Sequence, residues 1–342
     1  MPSFCCSACF GDLHLSKDLV PQRKVAHGRC AYCNTIDMDL VEAQALAPEF
    51  QTLISIYEPA PEGPTLAEWL KADWTLFPDN KLDVANAMRL LADILDDGDI
   101  VRQSVAPSAL YKSEGLTQWE TLRDELMYRN RYFPDQKLDQ AWARWLLYQL
   151  SVDIPAGDVW YRARLLNQDK PFTIDEMGAP SKRLAAHGRV NPPGIPYLYV
   201  GSQVDTAVAE IRPHTGEVAC VADFVILNKI SVVDLCAPRE RVSPLALSEA
   251  NAIGQLRADI PVLERWGEEL TRPVLPSGVA IDYIPSQYLC EVIKKCGFAG
   301  VVYRSSVSTG RNLALFDPAQ ARGGIVTEYD VTKVTVQVLQ KP

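Results

Sequence analysis

The hydrophobic period of this chain changes near residue 153, and that change limits what it can fold into. Across residues 65–153 apolar side chains recur at helical spacing. Leu66, Trp69, Leu70 and Trp74 form one stripe, and Val84, Met88, Leu91 and Leu95 a second. Trp119, Leu122 and Leu126 suggest a third, and Leu138, Trp142, Trp145, Leu146 and Leu150 a wide fourth. Asp83 is placed to cap the second helix, and Asp135 lies just upstream of the last. A 3.6-residue stripe is what packed helices require, so these tryptophans are expected in a core. From residue 154 onward short strands mix with helices and Pro/Gly turns. Strands are expected at 197–201, 218–227, 230–235, 299–303 and 331–339, and helices at 204–212 and 286–295. There is no regular βαβ alternation and no G-x-G-x-x-G run, which argues against a Rossmann fold. The expected class is α+β, with a mixed or antiparallel sheet following a helical region.

Nine cysteines occur, five of them within the first 33 residues. Cys6-Ser7-Ala8-Cys9 and Cys30-Ala31-Tyr32-Cys33 are C-x-x-C knuckles 20 residues apart. Two such knuckles can complete a tetrahedral sulfur shell suited to structural Zn²⁺, with no position open for catalysis. Cys5 could replace Cys6, and His14 or His27 could replace a sulfur; free thiols or a redox pair are the plainer alternative. Cys220, Cys236, Cys290 and Cys296 lie in apolar or helical surroundings and are expected to pack as small hydrophobes. Residues 1–46 form the zinc-knuckle segment, a turn cluster follows at 58–64, residues 65–153 are the helical region, and 154–342 the mixed domain.

At 342 residues the chain can bury a full core without metals or disulfides. Its formal charge of −9, from 34 Lys+Arg against 43 Asp+Glu, argues against broad nucleic-acid binding. No apolar stretch approaches the roughly 18 residues of a membrane span. The first residues carry neither a basic leader nor an apolar core, so a cytoplasmic location is expected.

The chemistry-bearing motifs all lie in the third region. They are Trp160-Tyr161-Arg162-Ala163-Arg164, then Gly188-Arg189-Val190-Asn191-Pro192-Pro193-Gly194 leading into Tyr197-Leu198-Tyr199. Ala207-Val208-Ala209-Glu210-Ile211-Arg212-Pro213 follows, and Tyr303-Arg304-Ser305-Ser306-Val307 comes last, ahead of Gly310, Asn312 and Phe316. Guanidinium forks at Arg162 and Arg189 suit a phosphate or diphosphate. The two prolines and Gly194 give a rigid bend before a strand, and Tyr199 offers an aromatic face. Ser202 and Asp205 have the form of a capping box, which would place Glu210 two turns into a helix among small apolar neighbours. Singly, such residues are usually solvated charges or plain turns.

As a set, and in this order, the motifs resemble the RES domain family over about residues 160–318. The resemblance implies a fold related to ADP-ribosyltransferases and an NAD⁺-degrading, toxin-like activity that breaks the nicotinamide–ribose bond. It implies catalytic roles for Arg162, Arg189, Tyr199, Glu210 and Ser305, with Arg162, Arg189, Asn191, Tyr199 and Asn312 holding NAD⁺. Ser306 can stand in for Ser305 in the match, and Arg164 for Arg162. Val190 departs from the aromatic residue that often follows the turn arginine. On this resemblance Glu210 holds the ribose hydroxyls and stabilises charge at C1′, the arginines hold the diphosphate and adjacent ribose, Tyr199 stacks on nicotinamide, and Ser305 hydrogen-bonds ribose or phosphate. The acceptor of ADP-ribose, whether water, phosphate or a macromolecule, stays open, and an antitoxin or regulatory protein is an implied partner.

The knuckles and helical region also resemble an HEPN-like N-terminal extension. An HEPN ribonuclease needs an Arg-x(4–6)-His pair, and residues 65–153 contain no histidine; all four are at His14, His27, His187 and His214. The helical region therefore reads as an interaction module. The non-enzymatic alternative is a zinc-ribbon adaptor that binds a nucleotide without turnover.

Overall fold

The computed structural model describes residues 3–167, 169–275 and 278–335. Its contacts group into two compact units, Met1–Thr117 with Ala237–Glu264, and Gln118–Cys236 with Arg265–Pro342. The three consecutive segments expected above are a different division, because each unit recruits two separate stretches of chain.

In the first unit β1 (Phe4–Cys6), β2 (Ala26–Gly28) and β3 (Met38–Glu42) form an antiparallel sheet with β3 central. A helical stretch over residues 13–22, which ends in α1 (Val20–Gln22), lies between the first two strands, and α2 (Ala47–Ile54) follows the third. The short strands β4 (Tyr57–Pro59) and β5 (Val105–Pro107) pair around α3 (Leu66–Trp74) and α4 (Val84–Leu95). Thr65 and Glu68 close a capping box on α3, and Asp83 accepts from the Asn86 amide to cap α4. The buried stripe of α4 is Ala87, Leu90, Leu91 and Ile94, whereas Val84 is exposed and Met88 and Leu95 are half-buried. The face that packs is thus rotated about one residue from the expected one. Residues 237–264 add α8 (Pro238–Arg241) and most of α9 (Ala250–Thr271). There Arg257 Nε reaches Asp73 Oδ2 at 2.6 Å, and the same carboxylate oxygen accepts from the Tyr57 hydroxyl at 2.8 Å.

The second unit is built on an eight-stranded sheet with order β13-β9-β7-β8-β12-β11-β10-β6. Its strands are β6 (Ser151–Ile154), β7 (Val159–Leu165), β8 (Leu198–Gly201), β9 (Val218–Ile226), β10 (Ile230–Asp234), β11 (Gly300–Arg304), β12 (Arg311–Leu315) and β13 (Ala321–Asp330). Among the described residues only β10 and β11 pair in parallel, so the sheet is mixed and the class is α+β. Trp160, Leu198, Val200, Cys220, Phe224, Val232, Val302, Leu313 and Leu315 share one buried cluster of this sheet. A smaller cluster of Ala163, Ala207 and Val221 seats α7 (Val204–Glu210).

The helices α5 (Gly115–Tyr128), which the unit boundary crosses, and α6 (Gln140–Gln149) bring Trp119 and Trp142 edge-on to Trp266, with centroids 6.0 and 5.8 Å away. Asp139, not Asp135, caps α6, accepting from the Ala141 and Trp142 amides. The Asp135 amide instead donates to Glu125.

Two other local expectations change. Gln203 is the N-cap of α7 with no side-chain bond, because Ser202 Oγ turns to accept from the Arg311 amide of β12. The helix stops at Glu210 rather than 212, since Arg212 adopts a left-handed φ of 50° and Pro213 bars continuation. Of the strand expected at 331–339, residues 331–335 are irregular and the rest lie outside the described residues. The last helices are α10 (Val279–Asp282) and α11 (Ile284–Lys295).

Candidate active site

The site grows from a fault in the sheet. Strands β7 and β8 pair only at Tyr161↔Gly201. In the antiparallel register the next pairs would be Arg162 with Val200 and Ala163 with Tyr199, but the Tyr199 carbonyl accepts from Arg162 Nη1 at 3.3 Å. Around this parting lies a pocket of about 330 Å³, in the range of small-molecule sites. It is lined by Tyr161, Arg162 and Ala163 of β7, Tyr199, Val200 and Gly201 of β8, and Ala207, Glu210 and Ile211 at α7. His187, Gly188 and Arg189 come from the turn, Tyr283 from the residue before α11, and Tyr303 and Asn312 from β11 and β12.

Arg162 is the unusual cation of this pocket. Its Nε is buried and unpartnered, and among the described residues no carboxylate pairs with its guanidinium. Burial, reinforced by the Arg164 charge, pulls its pKa down to about 10. A half-buried guanidinium at a pocket, with no paired carboxylate, suits an anionic ligand. Arg164 does not line the pocket; its guanidinium lies over the Phe172 ring, 5.5 Å from the centroid.

Glu210 supplies the opposite charge. Its Oε1 accepts from Asn312 Nδ2 at 2.6 Å and from Ser305 Oγ at 2.7 Å, while the residue itself stays exposed. The hairpin of β11 and β12 therefore orients the carboxylate from two sides. Ser305 also accepts from the Val307 amide, which fixes the loop after β11. Ser306 is exposed and makes no hydrogen bond among the described residues.

The glycine-rich turn is held by a dense polar lattice. The Tyr199 hydroxyl donates to Asn191 Oδ1 at 2.7 Å and accepts from the Val190 and Asn191 amides at 3.0 and 3.2 Å. Burial pushes that phenol well above its ordinary pKa. A side chain at Gly188 would sit 2.1 Å from Asn191 Oδ1 and 2.5 Å from the Tyr199 hydroxyl, so the turn needs glycine there. Asn191 does not line the pocket; it is buried, and its Nδ2 donates to the Ala186 and Pro192 carbonyls. From α11, Gln287 Nε2 donates to the Gly188 and Asn191 carbonyls, and Ser286 Oγ to that of Arg189. Arg189 itself bonds through Nη1 to the Arg272 carbonyl at 2.8 Å and lies over the Tyr283 ring, 5.1 Å from its centroid.

The structure thus brings Arg162, Arg189, Tyr199, Glu210 and Asn312 to one pocket, with Ser305 bonded to its carboxylate and Asn191 beneath it. Reading the sequence missed His187, Tyr283 and Tyr303. Tyr303 sits beside Ser305 in a quoted motif, so its place at the end of β11 was a usable signal. Nothing local marks Tyr283, which reaches the turn only through the packing of α11.

In the first unit the sulfurs of Cys6, Cys9, Cys30 and Cys33 lie within 4.8 Å of one another. The Cys6–Cys33 and Cys9–Cys30 separations are 3.5 and 3.4 Å. A zinc tetrahedron with sulfur ligands at ~2.3 Å would set them roughly 3.8 Å apart, so the donor set fits the ion. The crowded thiols resist shedding their protons together; Cys6 is pushed up to about 12, chiefly by Cys30, a cost a divalent cation removes. Cys5 is buried outside the cluster. His27 bonds Asp37 and Asp39, and His14 bonds Asp18, so neither ring is a ligand in this arrangement.

The RES domain model matches residues 159–333, just over half of the chain. The chain belongs to the RES domain family. Among curated proteins no sequence matches it. A solved structure it is similar to is the M. tuberculosis MbcT–MbcA toxin–antitoxin complex, at 14% identity and a TM-score of 0.32, covering 55% of this chain and 91% of that one. Among the described residues no helix is long and apolar enough to cross a membrane.

Proposed function

We propose that the protein cleaves the nicotinamide–ribose bond of NAD⁺, as a toxin-like enzyme of glycohydrolase or phosphorylase type. The observation that carries this reading is the pairing, in one pocket, of a doubly hydrogen-bonded carboxylate, Glu210, with a half-buried arginine that lacks a carboxylate, Arg162. Arg162, assisted by Arg189, takes the diphosphate and the ribose next to it. Glu210 faces the nicotinamide ribose and stabilises positive charge as the C1′–N bond breaks in an oxocarbenium-like transition state. The departing nicotinamide keeps the bonding electrons and leaves neutral. Water attack at C1′ gives ADP-ribose and one proton; phosphate attack gives the phosphorylated sugar instead. Ser305 and Asn312 hold the carboxylate in place, so their donors act through Glu210. The Tyr199 hydroxyl is spent on the turn, which leaves its ring as a wall against the nicotinamide.

The cysteine cluster takes one structural Zn²⁺, and an antitoxin or regulatory protein is the partner expected of this family. The test is direct. Purified protein incubated with NAD⁺ should release nicotinamide, and Glu210→Ala should stop the release while the protein stays folded. Intact NAD⁺ at high protein concentration would overturn the reading. Binding of NAD⁺ without release would favour a nucleotide-binding adaptor, and radiolabel retained on protein would favour transfer to a macromolecule.

A further inference from the structure

One polar group of the pocket has no task in this scheme. Tyr303 is 5% exposed, lines the pocket, and has no hydrogen-bond partner for its hydroxyl among the described residues. The ring is buried but the hydroxyl is open to the pocket, so its partner there is water or a ligand. Its place is fixed by register: Tyr303 stands directly opposite Asn312 on the paired strands β11 and β12, so both side chains leave the sheet on the same face. Asn312 uses that face to hold Glu210. Burial raises the Tyr303 phenol well above its ordinary pKa, with smaller contributions from Tyr199 and the Glu210 carboxylate, while the Arg189 guanidinium opposes the rise. The phenol is therefore a hydrogen-bond donor at every physiological pH.

We propose that the Tyr303 hydroxyl is a substrate-contacting residue, donating to a hydroxyl oxygen of the same ribose whose hydroxyl proton Glu210 accepts. The inference rests on the NAD⁺-cleaving reading and sharpens it. A ribose hydroxyl is both donor and acceptor, and a carboxylate satisfies only its donor side. A neutral donor in the same pocket as Glu210 completes the pair. Such a pair selects an intact ribose over a sugar lacking the hydroxyl, because the deoxy analogue would leave both partners unsatisfied.

The test compares wild type, Glu210→Gln, Tyr303→Phe and the double variant in nicotinamide release from NAD⁺, with melting temperature followed by calorimetry. Phenylalanine keeps the ring and its packing, so the melting temperature of Tyr303→Phe should match wild type. Its kcat/KM should fall by about ten- to a hundredfold, the size expected for one hydrogen bond to substrate. In the double variant the two losses should combine to less than their product, because both residues grip one sugar. Wild-type kinetics in Tyr303→Phe, or a loss accounted for by a lower melting temperature, would overturn the inference while wild-type turnover and the slowed Glu210→Gln leave the NAD⁺ reading standing. No release by wild type would remove both.

Discussion

Asn312 on β12 donates from Nδ2 to Oε1 of Glu210, the last residue of α7, across 2.6 Å. Ser305 donates to the same oxygen at 2.7 Å. One carboxylate oxygen is thus occupied by the protein and the other is left for chemistry. Glu210→Gln should lower nicotinamide release by about a hundred- to a thousandfold, the cost of losing a preorganised charge. Asn312→Ala and Ser305→Ala, which leave the carboxylate present but loosely aimed, should each cost about tenfold, seen mainly in kcat. Steady-state kinetics with equal melting temperatures decides the ranking; a Glu210→Gln enzyme as fast as Asn312→Ala would contradict it.

Arg162 should trade stability for binding. Its pKa is pulled down to about 10 by burial and by Arg164, so the free protein carries the cost of a desolvated cation. For a base whose folded value lies below its unfolded one, that penalty is fully present below pH 10 and is relieved only as pH climbs past it. At neutral pH, Arg162→Met should melt no lower than wild type in the absence of ligand. NAD⁺ or ADP-ribose should raise the melting temperature of wild type and leave that of the variant almost unmoved, which thermal shift assays can read.

The turn that carries Arg189 depends on the Tyr199 hydroxyl, which serves three partners at once. Tyr199→Phe should destabilise the protein by about 1–3 kcal/mol, because the Asn191 oxygen and two amides are left without it. Gln287→Leu strips the Gly188 and Asn191 carbonyls of a donor and should act in the same direction. Both variants should raise KM more than they lower kcat, as expected when Arg189 is displaced rather than the carboxylate. Urea melts together with NAD⁺ titrations check this, and unchanged stability would show that water replaces the hydroxyl.

The four-cysteine cluster should hold one zinc per chain by elemental analysis. A strong chelator should lower the melting temperature, and Cys6→Ser or Cys30→Ser should do so without it. Since binding requires thiolates, retention of metal should weaken as pH falls. Cys5→Ser should leave metal content unchanged, because Cys5 lies outside the cluster.

Much of this architecture could be read locally. Strands β8, β9, β10 and β11 and helices α3, α4, α6, α7 and α11 fall where periodicity put them, to within a few residues. The long helix α9 went unread, and so did β12 and β13. In α9 Gly254 and Pro261 interrupt the pattern, and β13 is largely exposed and carries no clean alternation. The Ser202–Asp205 capping box failed for an instructive reason: the Ser202 hydroxyl is claimed by the Arg311 amide, 109 residues away.

By itself the sequence determined the class of fold and the kinds of group available: two thiol knuckles, two arginines, one carboxylate and a glycine turn. Those are local properties, set by spacing and residue chemistry. Only the tertiary structure decided which member of each ambiguous pair reaches the pocket or its carboxylate. It brings Arg162 and Ser305 to the site, turns Arg164 onto Phe172 and leaves Ser306 in solvent. It also put Asn191 under the turn and raised Tyr303 into the pocket. The physical reason is distance along the chain. Glu210 meets Ser305 and Asn312 across 95 and 102 residues, and no local period specifies which strand becomes whose neighbour in the sheet.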